Sequence, residues 1–104
     1  MKHVVIFVTS ANKKEAKKIA KALIKKRLAA CVNLVDKIES LFWWKGRVDS
    51  AKEILLVIKS TQSKVAEIIK RVKLIHSYEV PEIIVLPIKS GYKPYLDWID
   101  DSVR

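Results

Sequence analysis

Glycine is almost missing from this chain: Gly46 and Gly91 are the only two in 104 residues. A loop that wraps phosphates with its backbone needs several glycines close together, so a phosphate-cradling loop is not expected. Cysteine is rarer still. Cys31 stands alone, which rules out an intrachain disulfide and an all-cysteine metal site within one chain. Side-chain amides are limited to Asn12, Asn33 and Gln62. Long apolar runs are lacking too. The longest, Ile83 to Ile88, has six residues, against about 20 for a membrane-crossing helix. The apolar stretch Val4–Val8 is shorter than a signal-peptide core of about 7–15 residues, and a helical pattern follows at once. No membrane span and a cytoplasmic location are therefore expected. No serine–histidine–acid arrangement with a recognisable elbow and no paired-histidine motif is present, so an enzyme is not expected.

What the chain does have is apolar residues and positive charge. Half the residues are hydrophobic, enough for one core in one domain spanning 1–104. The net charge is +10, from 21 basic and 11 acidic side chains. Such a field attracts phosphates and acidic partners. Eight basic residues fall between Lys13 and Arg27, but on several sides of a helix rather than one stripe. The reading preferred is a solvated lysine-rich surface, with no specific nucleic-acid binding. Few amides and abundant charge also fit a heat-resistant protein.

The pattern along the chain gives the fold. HVVIFVT at 3–9 is short, β-branched and apolar, as a strand buried on both faces would be. Asn12 with Glu15 three residues on resembles a capping box. Ala16, Ile19, Ala20, Leu23, Ile24 and Leu28 then repeat at helical spacing. A long hairpin follows, Ala30–Trp44 and Arg47–Ser60, turning at Lys45-Gly46 with an irregularity near Asp36–Glu39. Thr61 or Ser63 can cap a second helix with Val65, Ile68, Ile69, Val72 and Ile75 on its apolar stripe. Residues 76–81 form a loop, and EIIVLPIK at 82–89 a strand held to a sheet edge by Pro87. Pro94 opens a last helix, with Tyr95, Trp98 and Ile99 expected inward. The order β-α-β-β-α-β is the ferredoxin-like split β-α-β plan, an α+β fold with an antiparallel sheet and an extra C-terminal helix. Segments 4–8, 54–58 and 83–86 do not alternate, so the sheet face away from the two helices needs a cover. Further copies of the chain are the simplest one.

Two groups of residues stand out for function. Phe42, Trp43 and Trp44 lie near the hairpin tip. Neighbouring strand residues point to opposite faces, so the two tryptophans cannot enter one core. Either one is core and the other exposed, or the cluster is an oligomer contact, which is the reading preferred. His76, Tyr78, Glu79 and Glu82 form the densest polar cluster. A histidine with carboxylates can hold a divalent metal. Within one chain the plainer alternative is a histidine at a helix end with carboxylates paired to lysines. Cys31 is a small cysteine at a strand start that could serve as a soft ligand if a symmetry partner brought His76 near. Lys59 ends a buried strand, where it faces a pocket or reaches out to solvent.

Taken in order, LAACVN at 28–33, SLFWWKG at 40–46, EILLVIKS at 53–60, HSYEVPEI at 76–83 and YLDWI at 95–99 resemble the CutA family over nearly the whole chain. Ser77 stands where that family usually has proline, which predicts a looser loop around His76. Ser60 stands where threonine is usual. The resemblance implies a tight trimer of ferredoxin-like subunits with hairpins pairing across them. It also implies a role in tolerance to divalent cations, copper above all. By position Cys31, Lys59, His76, Tyr78 and Glu79 match the family's motif residues, and Trp43, Trp44 and Trp98 its aromatic positions, which would line clefts between subunits. A divalent-metal site built around His76, with Glu79 or Cys31 contributing, is expected in that cleft, with Glu82 beside it. The fold plan is also similar to that of the nitrogen-regulatory PII proteins, so a trimer that senses a small molecule is the alternative.

Overall fold

The computed structural model describes residues 2–104. Its elements run β1 (His3–Ser10), α1 (Lys13–Lys25), β2 (Cys31–Trp44), β3 (Arg47–Thr61), α2 (Val65–Ile75), β4 (Ile83–Pro87) and α3 (Lys93–Ser102). The strands form one antiparallel sheet in the order β2-β3-β1-β4. This is the ferredoxin-like arrangement, with the Pro87 strand at an edge as its missing N–H requires.

Period-two alternation sorts the sheet into two faces. Val4, Ile6 and Val8 of β1 and Ile54, Leu56 and Ile58 of β3 point to one side, where they are buried against Ala16, Ile19 and Leu23 of α1 and Ile68 and Val72 of α2. Val5, Phe7, Leu55 and Val57 point to the other side and are only half-buried, while Val35, Ile84 and Leu86 are exposed. That second face is apolar and largely open, as the non-alternating strands imply.

Only one end of it is covered. His3 Nε2 lies 2.8 Å from Asp100 Oδ1, and Ile99 is fully buried, so α3 sits over the His3 end of the second face. The expectation for this helix needs correction. Ile99 reaches the interior, but Trp98 is 45% exposed and Tyr95 is exposed beside it, the rings 5.5 Å apart. A ten-residue helix over a sheet end buries a narrow stripe, and one apolar side chain fills it.

Helix ends follow local chemistry. Asn12 Oδ1 accepts from the Glu15 N–H at 2.8 Å and caps α1. At the other end the Leu28 N–H reaches Leu23 O and the Arg27 N–H reaches Ile24 O, a Schellman closure with Arg27 at φ 57°. Neither Thr61 nor Ser63 caps α2. Their hydroxyls bond each other at 2.9 Å, and a 3₁₀ turn at Gln62–Lys64 leads into the helix instead.

The hairpin outruns the sheet. β1 pairs with β3 only from Ile54 to Thr61, so Ile38–Trp44 and Arg47–Glu53 project beyond it as a two-stranded ribbon. Lys45 and Gly46 both have positive φ and close the tip. A bulge interrupts the pairing: three steps on β2, Val35 to Ile38, oppose two on β3, Leu55 to Glu53. The extra residue lies in the pair Asp36-Lys37, where Lys37 adopts φ 60° and its N–H bonds Asp36 Oδ1 at 2.7 Å.

Candidate functional site

The bulge decides which aromatics face the site. A residue added to one strand switches every later side chain to the opposite face. Beyond it, Ile38, Ser40, Phe42 and Trp44 share the face of Glu53, Ala51 and Asp49, while Trp43 pairs with Val48 on the reverse. Neither tryptophan is core: Trp43 is 73% exposed and Trp44 47%. Phe42 is exposed as well.

Against this ribbon lies the loop after α2, and between them is a cavity of about 740 Å³. Phe42, Trp44, Asp49 and Glu53 form its ribbon wall, and Tyr78, Glu79, Val80 and Glu82 its loop wall. The loop is held from beneath. His76 is 8% exposed and its imidazole sits between two backbone groups. Nε2 lies 2.6 Å from Thr9 O, and Nδ1 lies 3.0 Å from the Tyr78 nitrogen. A carbonyl oxygen can only accept, so Nε2 carries the proton, and Nδ1 accepts from the Tyr78 N–H. The ring is thereby set as one neutral tautomer with both nitrogens engaged.

Glu15 completes the anchor. Its Oε1 accepts from the Ser77 N–H at 2.7 Å and its Oε2 from the Ser10 hydroxyl at 2.5 Å, with His76 Nδ1 3.9 Å away. Burial, the largest influence, pushes this carboxyl up. The hydrogen bonds from Ser10 and Ser77 outweigh it and hold Glu15 below its ordinary value. Glu15 is therefore a tie between α1 and the loop rather than the second half of a capping box. Ser77 does not leave the loop loose as expected, since its N–H, which proline would lack, forms that tie.

Above His76, the Tyr78 ring packs at 4.8 Å and its hydroxyl donates to Glu53 Oε2 at 2.8 Å. Burial, then the hydrogen bond and charge of Glu53, push the Tyr78 phenol up to about 12. It stays a protonated donor. Glu53 itself is 6% exposed, on the second face of a buried strand.

Cys31 and Lys59 lie elsewhere. They pair across β2 and β3, with Lys59 Nζ 3.9 Å from the sulfur. The Tyr95 hydroxyl also meets Cys31, so this group sits under α3. Thr9 pairs with Leu55 and Cys31 with Lys59, four residues along β3 and about 13 Å apart. Within one chain, then, the structure gathers His76, Tyr78, Glu79 and Glu82 at one end and Cys31, Lys59 and Trp98 at the other. Among the described residues, no three histidine, cysteine or acidic side chains converge as a metal cage. Sequence reasoning missed Glu53, Glu15 and Tyr95. Glu53 left a signal, a carboxylate opening the run EILLVI on the strand that forms the core.

A split β-α-β sheet with one open apolar face and a carboxylate-lined cleft defines a small ferredoxin-like α+β protein. The profile of the CutA1 divalent ion tolerance protein family matches residues 4–102, and the chain belongs to that family. It is 46% identical over 101 residues to Protein CutA 1, chloroplastic, of Oryza sativa subsp. japonica, covering 97% of this chain and 57% of that one. It is 45% identical over 102 residues to the Divalent-cation tolerance protein CutA of Archaeoglobus fulgidus, covering 98% and 99%. The crystal structure of CutA1 from Oryza sativa superposes with a TM-score of 0.97 at 44% identity, over 100% of this chain and 95% of that one. The family match favours the divalent-cation reading over the nitrogen-regulatory alternative. Ser60 fits the same picture: its buried hydroxyl donates to Leu28 O at 2.5 Å, a bond a threonine makes equally.

Proposed function

We propose that the chain works as a homotrimer that binds divalent metal ions, copper foremost, in the clefts between subunits. The observation that supports assembly is the ribbon. A two-stranded hairpin is marginal alone in water, yet this one carries Leu41, Phe42, Trp43, Trp44 and Val48 exposed. Copies that pack ribbons and second faces together would bury these side chains and the open sheet. The divalent-cation name of the family supports the metal relation.

Cys31 is the donor best placed for copper, as a free, half-buried sulfur, a soft ligand, 3.9 Å from Lys59 Nζ. His76 can join only by giving up its Tyr78 N–H bond, and Glu79 is exposed on the loop and free to swing. The set His76, Glu79 and Cys31 thus needs donors from more than one copy. Lys59, Tyr78, Glu82 and Trp98 would line the same clefts. Ligands bind deprotonated, so affinity should fall as pH falls. Copper and zinc titration of the wild type beside Cys31→Ser and His76→Ala tests this. Loss of stoichiometric binding in Cys31→Ser supports the site, and unchanged affinity and ratio in both variants would sink it.

A further inference from the structure

We propose that the outer face of the two-helix layer docks on an anionic lipid bilayer surface. The first observation is where the charge lies. Residues 13–27 and 64–75, on or beside α1 and α2, hold twelve of the 21 bases but only two of the 11 acids, Glu15 and Glu67. The whole net charge of +10 therefore sits on this layer, and the nine bases elsewhere are matched by nine acids. Glu15 is taken up by Ser10 and Ser77, so Glu67 is the one exposed carboxylate in the field.

The helices set these bases on one side. Ala16, Ile19, Ala20 and Leu23 bury one face of α1 against the sheet, and Ile68 and Val72 do the same for α2. At roughly 100° per residue, Lys14, Lys17, Lys18, Lys21 and Lys25 fall within an arc of about 100° on the opposite face of α1, and all are exposed. Lys70 and Lys73, also exposed, continue the field across α2. Arg27 and Lys64 are engaged at its margin, where they donate to the main-chain oxygens of Ser102 and Arg104.

This placement works against the helix that carries it. Lysines recur four apart from Lys13 to Lys25, and Lys13 and Lys14 stand at the N-terminus of α1, both unfavourable arrangements. Charge that serves heat resistance is interspersed in ion-pair networks. Among the described residues none of the twelve bases forms an ion pair with a side-chain carboxylate. A face of one sign, unpaired within the chain, is complementary to an anionic partner outside it.

The make-up of the face selects that partner. Ten of the twelve bases are lysines, point charges that suit a diffuse anionic surface. Only Arg27 and Arg71 offer the planar fork that reads a base edge, and neither stretch contains an aromatic ring for a base to stack on. α1 lies flat beside α2, so neither helix stands clear to enter a groove. Packed helices of 13 and 11 residues instead present a plane about 20 Å long. Ile24 and Leu74, 42% and 69% exposed, are aliphatic side chains on these helices that can enter the headgroup region. The inference is independent of the metal reading, and this face lies opposite the sheet surface that the proposed assembly would cover.

The test is co-sedimentation of the native assembly with vesicles of phosphatidylcholine alone, or with about one third phosphatidylglycerol, at near-physiological salt. Binding is expected only to the anionic vesicles, and to fall as salt rises. Lys14→Gln, Lys18→Gln and Lys21→Gln combined should weaken it about a hundred-fold, at about five-fold per charge. The same number of charges removed elsewhere, by Lys2→Gln, Lys89→Gln and Lys93→Gln combined, should weaken it no more than a few-fold. All six lysines are exposed, so both triple variants should fold. Lipids brominated on their chains should leave the tryptophans unquenched, since Trp43, Trp44 and Trp98 lie on the ribbon and α3. No binding to anionic vesicles, equal loss in the two triple variants, or quenched tryptophans would each overturn the proposal. So would tighter retention by a random-sequence DNA duplex at the same salt, lost in the helix variant, because the face then serves a nucleic acid.

Discussion

His76 shows how far a side chain's role depends on the backbone groups it meets. Its place in a cluster with Tyr78, Glu79 and Glu82 was legible, because imidazole and carboxylates rarely crowd one loop without purpose. Its role was not, since that depends on which backbone groups its two nitrogens meet, and Thr9 lies 67 residues away. The ring holds the loop, and Glu15 holds the ring's surroundings. This predicts a specific acid sensitivity. Glu15 is held below its ordinary value of 4.5, so its stabilising effect is present above that pH and is lost as pH falls through the lower folded value. Glu15→Gln should cost about 1.5 kcal/mol near neutrality and flatten the decline in stability as pH falls below the ordinary carboxyl value of 4.5, measured by urea unfolding. Tyr78→Phe acts differently. It leaves Glu53 buried without its donor, so a loss of about 1–3 kcal/mol is expected in the same assay.

At the scale of elements, hydrophobic spacing placed every strand and helix, because both periodicities are strong here; the first helix was read too long, since Leu28 lies in the closing turn three residues past Lys25. The sequence also marked trouble near Asp36–Glu39. What it could not say is that the trouble is one inserted residue, or that this insertion aims Phe42 and Trp44, not Trp43, at the cleft. Charged residues at a strand bend look alike whether or not they shift the register. Two variants separate conformation from register. Lys37→Gly keeps the bulge and relieves a left-handed backbone, so it should raise stability by about 1 kcal/mol. Deleting Lys37 removes the extra residue and should swap the two tryptophans between faces, read as exchanged quenching of cavity-side and outward indoles in Trp43→Phe and Trp44→Phe backgrounds.

For the molecule as a whole, the sheet's second face explains why one chain's sequence cannot locate a site that, in the proposed assembly, several chains would build. Strands 4–8, 54–58 and 83–86 announced that a cover was needed, but composition does not say what supplies it. Exposure of Trp44 beside an open apolar face makes the ring a candidate anchor. Trp44→Ala is therefore expected to weaken assembly by about 2 kcal/mol per subunit, seen as dissociation at low micromolar concentration in sedimentation equilibrium. A wild type that runs as a monodisperse monomer would defeat this. The projecting ribbon has a consequence for how the protein reaches its final state. The four-stranded sheet and its two helices hold contacts a solitary chain can complete, whereas in the proposed assembly the ribbon's side chains are buried only when a second chain arrives. Refolding from denaturant should accordingly separate into a first-order phase whose rate ignores dilution and a later phase that slows in proportion as the chains are made fewer.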